Sequence, residues 1–215
     1  MRAIATALLL TLAGASLPAQ KKDLERGPYR LEVRLEKLSD GDWEAVDPAH
    51  VFESGDQVRF LVEANFDGYL YVSNQGTSGD YRSLFPTEET GMNNRIEAEM
   101  SYLVPETEGA FRIAGPAGHE VVYWTITPAK VGEPDPLPPP PPPGKPERAA
   151  RLEPRCDEAI LRARGDCVDH SAGIQTTREQ ARGLVFLKDE DQASVVAAPP
   201  ELTGPVTFEF RLAHR

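Results

Sequence analysis

The feature that most constrains this chain is residues 51–86, VFESGDQVRFLVEANFDGYLYVSNQGTSGDYRSLFP. Apolar residues recur at every second position between glycine-bearing turns, a period that suits strands and not helices. Ser54-Gly55-Asp56 makes a turn. In the segment that follows, Val58, Phe60, Val62 and Ala64 point one way while Gln57, Arg59 and Glu63 point the other, with Leu61 interrupting the polar side. Asn65-Phe66-Asp67-Gly68 has hairpin-loop chemistry, because aspartate bonds nearby backbone and glycine accepts positive φ. Residues 68–73, GYLYVS, have no polar face, which predicts a central strand covered on both sides. A turn over 74–80 leads to a third strand at 81–85, and Pro86 ends it because proline has no amide proton for a ladder.

The same alternation recurs along the chain. Tyr29, Leu31, Val33 and Leu35 alternate with Arg30, Glu32, Arg34 and Glu36, one face for a core and one for solvent with opposite charges paired on it. Gly41-Asp42 turns the chain, and Trp43 reads as a packing residue near an edge. Short strands are expected at 100–104 and 111–113 and a strong one at 119–127, HEVVYWTIT. Near the end, Val206, Phe208, Phe210 and Leu212 alternate with Thr207, Glu209 and Arg211. Strands spaced about ten residues apart with turns between them predict a mainly β fold, an antiparallel β-sandwich, immunoglobulin-like or related.

A set of short motifs carries a resemblance. Ser54-Gly55-Asp56, Val58-x-Phe60, Asp67-Gly68-Tyr69-Leu70-Tyr71-Val72, Leu84-Phe85-Pro86, Asn93-Asn94-Arg95 and Gly115-Pro116-x-Gly118-x-Glu120 follow one another in order. Over residues 50–127 the chain resembles the bacterial family called domain of unknown function 4384. The resemblance implies a β-rich accessory module, found behind export signals or attached to signalling and protease-like domains. It supplies no catalytic residues, and it does not extend beyond Pro128.

The N-terminus reads as an export signal. Met1-Arg2 is a short basic start, residues 3–12 are apolar and too few to span a bilayer, and Ala13-Gly14-Ala15 and Leu17-Pro18-Ala19 are small-residue cleavage sites. A secretory signal peptide over residues 1–19 places the chain in the periplasm or outside the cell, with no membrane insertion after cleavage. The net charge of -11 makes the chain a poor nucleic-acid binder.

Composition changes at Pro128. Nine of the 20 prolines fall in 134–146, six of them consecutive from Pro138. Such a run forms polyproline II, either a spacer or a docking segment, and the spacer is the simpler reading. Cys156 and Cys167 are the only cysteines, and in an exported chain the pair argues for a disulfide around a short helical segment at 157–164. Two sharper readings compete: Cys167, His170 and Asp169 as a thiol catalytic set, and Cys156, Cys167 and His170 as metal ligands. Both draw on residues adjacent in sequence, and structural zinc wants a fourth ligand. His50 and His119 read as surface or edge residues. Another short helix is expected at 176–182. The region after the prolines is too poor in apolar residues to form its own sandwich. Residues 28–213 are therefore expected to form a single domain carrying 129–183 as a proline-rich and disulfide-loop insertion.

No nucleophile motif, phosphate loop or metal-ligand cluster stands out, and no cofactor is expected. The reading that remains is a non-catalytic binding or scaffold module of the periplasm or envelope with a protein partner. Two alternatives are kept. One is a small-ligand or glycan binder using Tyr69, Tyr71, Tyr81 and Trp124. The other is a hydrolase using the loop carboxylates Asp56, Asp67 and Asp80.

Overall fold

A computed structural model describes residues 29–107, 109–127, 151–175, 185–188, 193–198 and 205–215. The leader expected at 1–19, the proline run and the helix expected at 176–182 lie outside the described residues.

The strands form two sheets. The first joins β12 (Val185–Lys188), β13 (Ser194–Ala198), β1 (Tyr29–Ser39), β4 (Gln57–Ala64) and β8 (Ser101–Val104) in that spatial order. β2 (Asp42–Ala45) pairs with β1, and β9 (Phe111–Arg112) pairs with β4. The second sheet joins β11 (Gly173–Gln175), β14 (Val206–His214), β10 (Gly118–Thr127), β5 (Gly68–Gln75) and β6 (Tyr81–Phe85). β7 (Arg95–Ile96) pairs with β5. β3 (Val51–Phe52) runs parallel to β14, the one departure from antiparallel pairing among the described strands. The fold is a mainly β sandwich, as the period-two pattern predicts. β14 pairs over its whole length with β10, and β13 pairs with β1, so the last strands of the chain sit inside both sheets.

The alternation explains the core. Leu31, Val33 and Leu35 of β1 and Val58, Phe60 and Val62 of β4 are buried in one cluster with Leu70, Val72, Val122, Trp124, Phe208 and Phe210 of the second sheet. Phe60 joins the layers. Its ring lies 5.0 Å from Trp124 and 6.1 Å from Phe210, edge-on in both cases, a favoured aromatic geometry. Trp124 stacks on Phe208 at 6.3 Å. On the far face of the first sheet the charges pair, Arg59 with Glu36 at 2.6 Å and Arg30 with Glu32 at 3.0 Å, while at the end of β1 Lys37 pairs with Asp56 at 2.7 Å. Trp43 lies on this face, under the Arg59 guanidinium at 4.3 Å. β5 is buried on both sides, as its lack of a polar face predicts. Gly115 must be glycine: its φ is +102°, and a Cβ there would lie 2.8 Å from the Thr77 hydroxyl.

Cys156 and Cys167 are joined by a disulfide. Between them α1 (Glu158–Arg164) is capped by Asp157, whose carboxylate accepts from the Ala159 and Ile160 amides, and it stops at Gly165 in the left-handed conformation. α1 buries no residue. The loop is held to the sandwich by its flanks, through Val51 N–H to Cys167 O (2.9 Å) and Asp169 N–H to Ala49 O (2.8 Å).

Candidate functional site

Among the described strands the second sheet ends at β6, and none of them pairs with its outer edge. Gly76 N–H donates to Asp80 O. Because paired and unpaired positions alternate in an antiparallel ladder, the backbone groups of Tyr81 and Ser83 turn away from β5 toward the open edge. Facing this edge is the 105–114 segment, which β9 anchors to the first sheet. Between the two lies a cleft of about 780 Å³, lined among others by Arg82, Leu84, Glu88, Pro105, Phe111 and Arg112. The turn at its closed end is braced by Glu106 N–H to Thr90 O (2.8 Å), Thr107 Oγ1 to Glu89 O (3.0 Å) and Thr90 Oγ1 to Leu84 O (2.6 Å). The mouth therefore sits on fixed backbone rather than on a free loop.

A narrower recess of about 50 Å³ runs inward between the sheets, sharing Arg82, Leu84, Phe111 and Arg112 with the cleft. That volume holds a few waters and no substrate. The carboxylate of Glu120 lines it, on a strand buried along its whole length. Glu120 Oε2 accepts from Asn74 Nδ2 at 2.6 Å, and His214 Nε2 lies 3.6 Å from Oε1. His214 is fully buried with neither ring nitrogen hydrogen-bonded, and Asn74 Oδ1 is also unsatisfied. Arg82 and Arg112 are exposed at the mouth, and neither has an ion-pair partner among the described residues. The cleft thus offers an open strand edge, an apolar floor and two available guanidinium groups.

A second polar cluster joins the disulfide loop to β10. His119 is buried, with Nδ1 3.0 Å from Leu152 O and Nε2 3.2 Å from Ser171 Oγ. Ser171 Oγ also lies 2.6 Å from Asp169 Oδ1, and Asp169 Oδ2 accepts from Arg155 N–H. Serine, histidine and aspartate meet here without the order of a hydrolytic triad. The carboxylate holds the serine hydroxyl, and the imidazole nitrogen remote from serine faces a backbone carbonyl instead of an acid. The cluster is a clamp. Burial pushes the His119 pKa down despite the Leu152 carbonyl and the Asp169 charge. Burial opposes ionisation of Asp169, but the bonds from Ser171 and Arg155 outweigh it and hold its carboxyl below the usual value.

These directions fix the acid response. Below about pH 6.5 the unfolded chain protonates His119 before the native one does, so stability falls with pH until the lowered His119 value is passed. A further loss follows as the pH drops below about 4 through the lowered Asp169 value. His50 is lowered by burial too and shares the first window. Urea midpoints at several pH values are expected to fall from pH 7 to pH 5 in the parent and less steeply in His119→Gln. An unchanged slope in that variant would contradict the assignment.

The residues singled out from sequence separate into different places. Asp56 is taken by Lys37 and by the Glu53 amide, Asp67 by the Ala98 amide and Asp80 by the Ser78 hydroxyl, so each carboxylate is engaged in holding the backbone or a neighbouring side chain. Trp124 and Tyr71 are buried and Tyr69 is half-buried. Tyr81 is 42% exposed on the β6 edge. His119, expected at a surface or edge, is 1% exposed because residues 152–171 cover it. Both sulfurs of Cys156 and Cys167 are in the disulfide, which leaves no thiolate for the catalytic or metal readings. His170 faces Asp157 at 3.2 Å.

The Arg82 and Arg112 mouth, the Phe111 floor and the Glu120 wall all lie in one continuous stretch of the chain. Residues 51–130 match the family model Domain of unknown function (DUF4384). No curated protein and no solved structure matches the chain. The matched region runs from β3 to beyond β10 and contains the whole lining of the cleft and that of the recess except Leu212, while the disulfide loop lies outside it. The motif residues that carried the resemblance divide by role. Val58, Phe60, Leu70, Val72, Leu84 and Phe85 build the core, and Asn94 O receives the Leu70 amide. Glu120 is the exception, a buried charge in the recess.

Proposed function

We propose that this chain is a non-catalytic binding module acting outside the cytoplasm, and that it holds an extended segment of a protein partner in the cleft along β6. The observation that carries this reading is the open edge of β6 over an apolar floor. Adding a strand to such an edge gives backbone hydrogen bonds, and pockets beside it give specificity. Arg82 and Arg112 favour a partner segment with acidic side chains or a terminal carboxylate, because guanidinium groups pair with carboxylates in two-pronged fashion. The disulfide supports an oxidising compartment, as does the apolar N-terminal run.

The test is capture of partners by the tagged chain in its native envelope fraction, with crosslinking and mass spectrometry, beside Arg82→Glu/Arg112→Glu. The parent is expected to give one stoichiometric partner crosslinked at 81–85 or 105–114, and the double variant to bind it about tenfold more weakly, since rim charges act mainly on association. Equal binding by the double variant, or crosslinks confined to the first sheet, would refute the cleft. Recovery of the chain only in the cytoplasmic fraction would refute the compartment.

A further inference from the structure

The recess behind the cleft has acceptors without donors. β10 and β5 pair with Val122 opposite Asn74, and Glu120 lies two residues before Val122, so Asn74 and Glu120 share the face that Val122 turns to the core. Both line the recess together with the apolar side chains of Phe60, Leu84, Phe111 and Val122. Asn74 is 5% exposed. Its Nδ2 donates to Glu120 Oε2 at 2.6 Å, which fixes the orientation of the amide and leaves Oδ1 without a hydrogen bond. A carboxylate can accept about four hydrogen bonds. Among the described residues Glu120 accepts this one alone.

No cation of the chain completes the group. His214 Nε2 stands 3.6 Å from Glu120 Oε1, and neither ring nitrogen makes a hydrogen bond. Arg82 and Arg112 share the lining but stay exposed at the mouth, and neither pairs with Glu120 among the described residues. A charge taken out of water among apolar walls is costly until an opposite charge joins it. The missing group is therefore a donor carrying positive charge. About 50 Å³ has room for an ammonium and the methylenes next to it. The broad, planar guanidinium suits such a space less well than the compact ammonium of lysine, whose three donors match the carboxylate and the free Asn74 oxygen.

We propose that the recess reads one lysine of the partner segment, its ammonium held by the Glu120 carboxylate and Asn74 Oδ1. The inference rests on the β6 reading for where the segment lies, and it names a side chain that segment must carry. Arg82 and Arg112 at the mouth then face a carboxylate beside that lysine, either an acidic neighbour or a free C-terminus.

The probe is Nα-acetyl-lysine, which carries both charges, titrated into the full chain and followed by NMR at the Asn74 side-chain amide. Nα-acetyl-norleucine, with the same carboxylate and no ammonium, is the comparison. Nα-acetyl-lysine is expected to shift the Asn74 signal saturably and to bind about tenfold more tightly than Nα-acetyl-norleucine, a difference that Glu120→Gln abolishes. Equal binding of the two probes by the parent overturns the proposal without need of a variant, and so does an unchanged difference in folded Glu120→Gln. Partner capture separates this failure from that of the cleft. Glu120→Gln is expected to weaken capture about tenfold, as Arg82→Glu/Arg112→Glu does. Capture lost in the arginine variant and kept in Glu120→Gln overturns the lysine and leaves the β6 cleft standing, whereas capture kept in both overturns both.

Discussion

Phe60→Ala is expected to lower the thermal midpoint by roughly 6–20 °C. Phe60 is fully buried on β4 and meets Trp124 and Phe210 of the opposite sheet edge-on. Truncating a buried phenylalanine costs about 3–5 kcal/mol, from lost transfer energy and from the cavity left behind. The whole fold is worth only about 5–15 kcal/mol, so this one side chain decides a large share of it. In a domain of this size each kcal/mol moves the midpoint by about 2–4 °C. Phe60→Leu keeps most of the volume and is expected to cost under half as much. Differential scanning calorimetry measures both, and a shift under 2 °C for Phe60→Ala would mean that the sheets are not joined through this ring.

Removing the disulfide is expected to cost on the order of 3 kcal/mol, but unevenly. Joining residues 11 apart removes that much freedom from the unfolded chain in the loop-entropy account. In the native state the tie matters most to α1. A helix of seven residues is far below the length that survives alone in water, and this one buries nothing. Its attachment rests on Cys167, on Asp169 and on the His119 clamp. In Cys156→Ala/Cys167→Ala, hydrogen exchange is expected to show the α1 amides exchanging freely while the β10 amides stay slow, because β10 lies between two full partner strands. Uniform loss of protection across both would show instead that the loop is part of the cooperative core.

The sandwich was legible because its information is local. Period two in residues 29–36, 57–64 and 206–212 follows from which face each side chain presents, and one buried face suffices to fix it. The family motifs were legible for a related reason, since most of them are core positions and turns. The polar clusters were not. His119 sits at the start of an apolar run, and the groups that bury it come from residues 152 and 171, brought back by the disulfide loop. Glu120 carried a signal that went unread: a carboxylate flanked by apolar strand positions is either at an edge or held by partners, and here Asn74 holds it. His214 gave no such sign, because its burial depends on how the last strand enters the sheet beside Gly118. The cleft was invisible for the same kind of reason. Its two lips, β6 and 105–114, belong to different sheets, and only the topology makes β6 an edge.

The central claim is that a partner segment adds to β6. Hydrogen exchange at single-amide resolution, on the chain alone and with its captured partner, tests it most directly. The Tyr81 and Ser83 amides are expected to exchange freely in the isolated chain and to slow at least tenfold in the complex, while amides of β12 at the far edge of the first sheet stay unchanged. Slowing confined to the first sheet, or none on β6 with partner bound, would contradict the claim.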